Sequence, residues 1–160
     1  MTLMRSAPYP ARRGDPEAHI GRHFKSFRDY VEALRDIGEI QEIDQPVDWN
    51  LEMGAIIRHS TETKAAAPLF NNVIGAAPGL RAMGAPAATS RVPGLYLARL
   101  AMMMGHDPFA TGLELVEAYV AAKSRPVLAP IRVPRDDAPC KQNVMLAEDV
   151  DLPFRDSPRG

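Results

Sequence analysis

Fifteen prolines and eleven glycines in 160 residues limit what this chain can fold into. Proline fixes φ and removes a backbone donor, and glycine weakens the interior of helices and strands, so long uninterrupted elements are disfavoured. The fold must be assembled from short elements joined by many turns. Hydrophobic residues make up 46% of the chain, enough for one core of ordinary size. Its apolar runs are interrupted by Arg or Asp within about ten residues, well short of the ~20 that a membrane span needs.

Between the punctuating residues the periodicity is readable. Ser26 is a plausible N-cap, with Asp29 placed in the first turn to suit the helix dipole. Phe27, Tyr30, Val31, Leu34 and Ile37 then recur at helical spacing, and Gly38 can end the helix in a left-handed conformation. Ile40 and Ile43 mark a short strand that Pro46 closes. A second helix is expected from Asp48 or Asn50 to about Thr63, with Leu51, Met53, Ile56 and Ile57 as its apolar side. APLFNNVIG reads as a buried strand, and GLRAMGAP as another that Gly84 and Pro86 terminate. Two further helices are expected, Pro93 to Met104 and Thr111 to Lys123, the latter offering Leu113, Val116, Ala118 and Val120 for packing. PVLAPIRV is a last strand candidate, weakened by Pro130. The fold class expected is α/β (α+β), a small mixed sheet flanked by helices.

Charge and cysteine exclude several functions. Nineteen Lys and Arg against twenty Asp and Glu leave no bulk attraction for nucleic acid or an anionic membrane surface. The single cysteine, Cys140, forms no internal disulfide, and a reducing, cytoplasmic setting is the default. The stretch from Met1 to Arg22 lacks the continuous apolar segment of a secretory signal, and Asp15 and Glu17 count against a transit peptide. Residues 1–23 are therefore expected to form a disordered N-terminal tail.

Five segments, in order and spacing, resemble the UbiD family of reversible decarboxylases. SFRDYVEALRDIGEIQEID is similar to that family's opening helix and strand, and PVDWNLEMGAIIRHSTET to its second helix. APLFNNVIG and LRAMGAP are similar to the two strands that follow, and APCKQN with EDVDL to the motif pair leading into the catalytic part. The resemblance covers Phe24 to Leu152, so residues 24–133 are expected to be a UbiD-like N-terminal α/β domain. Residues 134–160 would be a linker into a split-barrel catalytic domain not contained in these residues. The resemblance implies decarboxylation of an aromatic or α,β-unsaturated carboxylic acid with prenylated FMN, Mn²⁺ and K⁺. In the family the groups around metal and phosphate, and the Glu-Arg-Glu proton-transfer set, lie in the split-barrel domain. No catalytic, cofactor-binding or metal-ligating residue is therefore assigned to this chain.

Read on their own chemistry, a few residues still invite comparison with known sites. His59 and Glu62 lie three apart on the second helix, but on a mostly polar side that suits a solvated face better than a metal. Cys140 beside Lys141 has the neighbouring ammonium that lowers a thiol pKa, without the histidine that would complete a nucleophilic pair. Glu39, Glu42 and Asp44, and again Glu148, Asp149 and Asp151, are acidic runs better read as solvated strand edges than as cation sites. Met102, Met103 and Met104, next to Leu100 and Tyr96, form either a soft patch facing another domain or plain helix core.

Three functions compete on this basis. The first is the N-terminal part of a UbiD-like decarboxylase, inactive alone, whose partner is the rest of the enzyme or a second copy of itself. The second is a non-catalytic subunit that completes a split decarboxylase in trans. The third is an unrelated small α+β binding domain.

Overall fold

The computed structural model describes residues 10–142, 144 and 146. By its internal contacts the chain divides into two units, residues 1–124 and 125–160.

The first unit carries the elements the periodicity implies. Helix α1 spans Phe27–Asp36, and the Ser26 hydroxyl accepts a hydrogen bond from the Asp29 N–H at 3.1 Å, the N-cap its sequence signals. Gly38 follows with φ +79°, and a Cβ there would lie 2.9 Å from the Pro10 carbonyl oxygen, so both conformation and space require glycine. Strand β1 is Ile40–Ile43, helix α2 Glu52–Glu62, strand β2 Ala67–Phe70 and strand β3 Ala82–Met83. The sheet order is β1-β2-β3, with β1 parallel to β2 through Ile40↔Ala67 and β2 antiparallel to β3 through Leu69↔Met83. This is the expected small mixed sheet with helices. Helix α3 is Ala98–Met103 and helix α4 is Gly112–Lys123.

The core is continuous from α1 through the sheet to α3. Tyr30, Val31, Leu34, Ile37, Ile40, Ala67, Leu69, Leu95, Ala98 and Met102 are all buried in one cluster. Burying each large side chain contributes about 1.5–3 kcal/mol, so this cluster supplies most of the driving force for the unit. Helix α2 covers β2, where Gly84 leaves room for Ile57 and Pro68 to meet.

Several expectations need correction. The third helix was expected from Pro93, but it begins only at Ala98, because Gly94 takes φ +79° and the chain up to Leu97 is a series of turns. Of the residues expected to pack from α4, Leu113, Val116 and Val120 are exposed, and Leu115 alone is buried there. Leu51 is not on the inner side of α2; it precedes the helix with φ +67° and is exposed. PVLAPIRV forms no strand: residues 126–133 make no ladder and are exposed throughout. The expected tail is also tied down over its described part. The N–H groups of Arg13 and Gly14 both donate to the Asp36 carbonyl at 2.7 Å, Pro16–His19 forms a 3-10 turn, and His19 is buried. Residues 1–9 lie outside the described residues.

Candidate functional site

Two regions of the first unit stand out chemically: a charged group inside the core, and an apolar face outside it.

The internal group is built on Arg99. Helix α3 is otherwise apolar, yet Arg99 is wholly buried. Its guanidinium donates to the carbonyl oxygens of Thr89 at 2.5 Å, Ala65 at 3.0 Å and Ala85 at 3.2 Å. Its Nε lies 3.3 Å from Glu39 Oε2, and neither side chain of that pair is exposed. The Ser90 hydroxyl donates to Glu39 Oε1 at 2.7 Å. The Tyr30 hydroxyl lies 2.7 Å from the Arg99 carbonyl and 2.8 Å from that of Pro86, and its single proton serves the two acceptors between them. Burial pushes the Tyr30 hydroxyl far above its ordinary value of 10, so it is a fixed donor rather than an acid. Arg99 suits this place because a planar fork of five donors can hold three carbonyls and a carboxylate at once. The group joins α1, the start of β1, the turn before β2 and the loop 84–92. The side chains of Arg99, Glu39, Ser90 and Tyr30 are all buried, so the group organises the fold.

Glu39 therefore departs from its expected role at a solvated strand edge. The remaining acids of that run are also engaged: Glu42 accepts from Arg35 Nε at 2.8 Å, and the Asn71 amide donates to Glu42 at 2.7 Å and Asp44 at 2.8 Å. Glu62 is taken up by Arg58 at 2.8 Å on the exposed face of α2, leaving His59 without a ligand partner there. Cys140 is an exposed free thiol in a 3-10 turn, Pro139–Lys141. Glu148, Asp149 and Asp151 lie outside the described residues. His19 is held below its ordinary value of 6.5, first by burial and then by the Arg22 charge. Among the described residues no three His, Cys, Asp or Glu side chains come together to hold a metal ion, so these residues do not fit the metal the resemblance implies. No helix among them is long and apolar enough to cross a membrane.

The external region is α4 and the loop before it. Thr111 caps the helix: its hydroxyl accepts from the Glu114 N–H, and the Glu114 carboxylate accepts from the Thr111 N–H at 2.7 Å. These hydrogen bonds hold the Glu114 carboxyl below the usual range. Asp107 is occupied similarly, accepting from the Phe109 N–H at 2.8 Å. A wide groove of about 520 Å³ runs between His106–Ala110 and α4, floored by Phe109, Ala118 and Ala121. Along α4, Leu113, Val116, Tyr119 and Val120 are all more than half exposed. Of the methionine run, Met102 belongs to the core while Met103 is exposed, and Tyr96 carries the Lys64 ammonium 5.0 Å over its ring. The core reading of that run thus holds for Met102 but not for Met103.

Helix α4 is thus capped and shows several large apolar side chains. Family comparison identifies the domain. The model of the 3-octaprenyl-4-hydroxybenzoate carboxy-lyase N-terminal domain matches residues 31–119, more than half of the chain.

The chain belongs to the UbiD family through its N-terminal domain.

Its UbiD relatives include ferulic acid decarboxylase 1 of Saccharomyces cerevisiae, 38% identical over 128 residues, which covers 79% of this chain and 25% of the relative. Pyrrole-2-carboxylic acid decarboxylase of Pseudomonas aeruginosa is 37% identical over 133 residues, covering 83% of this chain and 26% of that one. The chain thus spans about a quarter of the length of the curated relatives it matches. Among solved structures, vanillic acid decarboxylase of Sedimentibacter hydroxybenzoicus in open form superposes with a TM-score of 0.58 at 18% identity, over 76% of this chain and 24% of that chain. That likeness bears on the fold alone.

Sequence reasoning missed Arg99, Ser90 and Tyr30 as a polar group. The available signal was an arginine inside the apolar run YLARLAMMM, where a charge is expensive unless partnered.

Proposed function

We propose that this UbiD domain acts in a decarboxylase of aromatic or α,β-unsaturated carboxylic acids, and that its part is to dock the catalytic polypeptide rather than to react. The observation that carries the reading is the set of exposed apolar side chains on α4, on a domain whose buried Arg99 and Glu39 are paired with each other within the fold. Exposed contiguous apolar surface on a folded domain marks a partner site. The named relatives act on ferulic and pyrrole-2-carboxylic acids, which supports the substrate class. Prenylated FMN, Mn²⁺ and K⁺ would be held by the catalytic polypeptide, where the cofactor does the difficult chemistry. The absence of a disulfide pair fits a cytoplasmic enzyme.

The test is a graft. Residues 1–160 replace the matching first quarter of the Pseudomonas pyrrole-2-carboxylic acid decarboxylase, and pyrrole-2-carboxylate turnover is assayed with prenylated FMN and Mn²⁺. Turnover by the graft and none by the chain alone is the expected result. Turnover by the chain alone, or a folded graft with no turnover, contradicts the reading. Turnover when the chain is instead added as a separate polypeptide would favour the subunit acting in trans.

A further inference from the structure

The nine residues Pro126–Pro134 form an unusual surface. Val127, Leu128 and Ile131 are 93%, 89% and 90% exposed, and Val133 is also exposed. Such exposure of consecutive large aliphatic side chains is costly to leave uncovered. Residues 126–133 form no backbone hydrogen bond among the described residues. The prolines fall at 126, 130 and 134, all of one parity.

That parity carries information. In an extended strand, the N–H and C=O of residue i point to one edge and those of i+1 to the other, while side chains alternate between the two faces. On the even edge, three of the five residues have no N–H to give. On the odd edge, Val127, Ala129, Ile131 and Val133 keep every donor and acceptor. The same odd residues share one side-chain face, and all four are aliphatic. The even face carries Leu128, Arg132 and the prolines. Were the segment extended, it would present one competent edge, one apolar face and one edge blocked against further growth.

We infer that residues 127–133 add as an edge strand to a sheet of the catalytic polypeptide, pairing through the odd-numbered residues and laying Val127, Ala129, Ile131 and Val133 on that sheet's apolar side. This is strand addition, in which main-chain bonds give affinity and alternate side chains give register. The inference rests on the proposed function. The occupant follows from two facts. The family match ends at residue 119, before the segment, and the relatives are about three times as long as the chain, so they have ample further polypeptide to supply the sheet. A second copy of this chain is a poor host, because its outer strands, β1 of four residues and β3 of two, can meet only part of a seven-residue strand.

The experiment is amide hydrogen exchange, resolved to single residues, on the 160-residue chain alone and on the graft described above. In the free chain residues 127–133 should exchange freely. In the graft, Val127, Ala129, Ile131 and Val133 should slow by about 100-fold or more while Leu128 and Arg132 stay fast. Ala129→Pro should abolish that protection and Leu128→Pro should preserve it. Equal protection of both parities, equal effects of the two prolines, or no protection in a graft that turns over would each overturn the inference. Protection in the free chain that grows with concentration would place a second copy there and also overturn it. A graft with the odd-residue pattern but no turnover supports the strand and sinks the functional reading. One with neither sinks both.

Discussion

Two regions of the first unit invert the usual distribution of polarity, in opposite senses. The heart of the core holds Arg99, Glu39 and Ser90, whereas the outer side of α4 shows Leu113, Val116, Tyr119 and Val120 to water. The buried charges have their partners inside the same chain: three carbonyls, a hydroxyl and each other. Those apolar side chains of α4 remain more than half exposed among the described residues. The domain thus pairs its buried charges internally while a helix shows large apolar side chains to water.

Perturbing the interior should have the largest effect. Arg99→Met leaves Glu39 as a buried, uncompensated carboxylate and frees three carbonyls, so the unit should lose about 3–5 kcal/mol, measured by denaturant unfolding. A loss under ~1 kcal/mol would mean that water reaches the group and that the comparison fails. Glu39→Gln in the Arg99→Met background should recover part of the loss, because it removes the stranded charge.

Tyr30→Phe is gentler. It removes one donor shared between the Arg99 and Pro86 carbonyls while leaving the ring packed against Phe24, whose centroid is 5.3 Å away. A cost of about 1–2 kcal/mol is expected from the same unfolding experiment. No measurable cost would show that the hydroxyl is not needed to hold the loop that Arg99 grips.

His19 sharpens the comparison at the edge of the core. Its folded pKa lies below 6.5, so between the folded and unfolded values the unfolded chain binds more protons. Stability should therefore be fully present above that window and fall as pH drops below about 6.5, a dependence that His19→Gln removes. A melting temperature that rises on acidification through this range would contradict the buried placement of His19.

Much of the fold was legible because local chemistry agreed with the outcome. The Ser26 cap, the α1 stripe and the Gly38 stop are short-range signals, and so is the strand pair that flanks α2. What was not legible depends on long-range geometry. Glu39 reads like its exposed neighbours Glu42 and Asp44, and nothing within ten residues shows that Arg99, sixty positions on, will reach it. The apolar residues of α4 read as core because their number suggests burial, but they are spread round the helix and do not say whether their cover is in the same chain. PVLAPIRV has the composition of a strand, but a strand needs a neighbour, and a sequence window contains none.

The most direct test of the claim that α4 is a docking side is thermal unfolding of one triple variant, Leu113→Gln, Val116→Gln and Val120→Gln, in the free chain and in the decarboxylase graft. These positions touch little in the free domain, and glutamine is a better helix former than valine, so the free chain should unfold within a few degrees of the unsubstituted protein. In the graft the same change should lower the melting temperature by roughly 5 °C or more and reduce turnover, because apolar contacts to the catalytic polypeptide are lost. An equal drop in both settings would mean that α4 is ordinary core, and no drop in either would mean that the partner docks elsewhere.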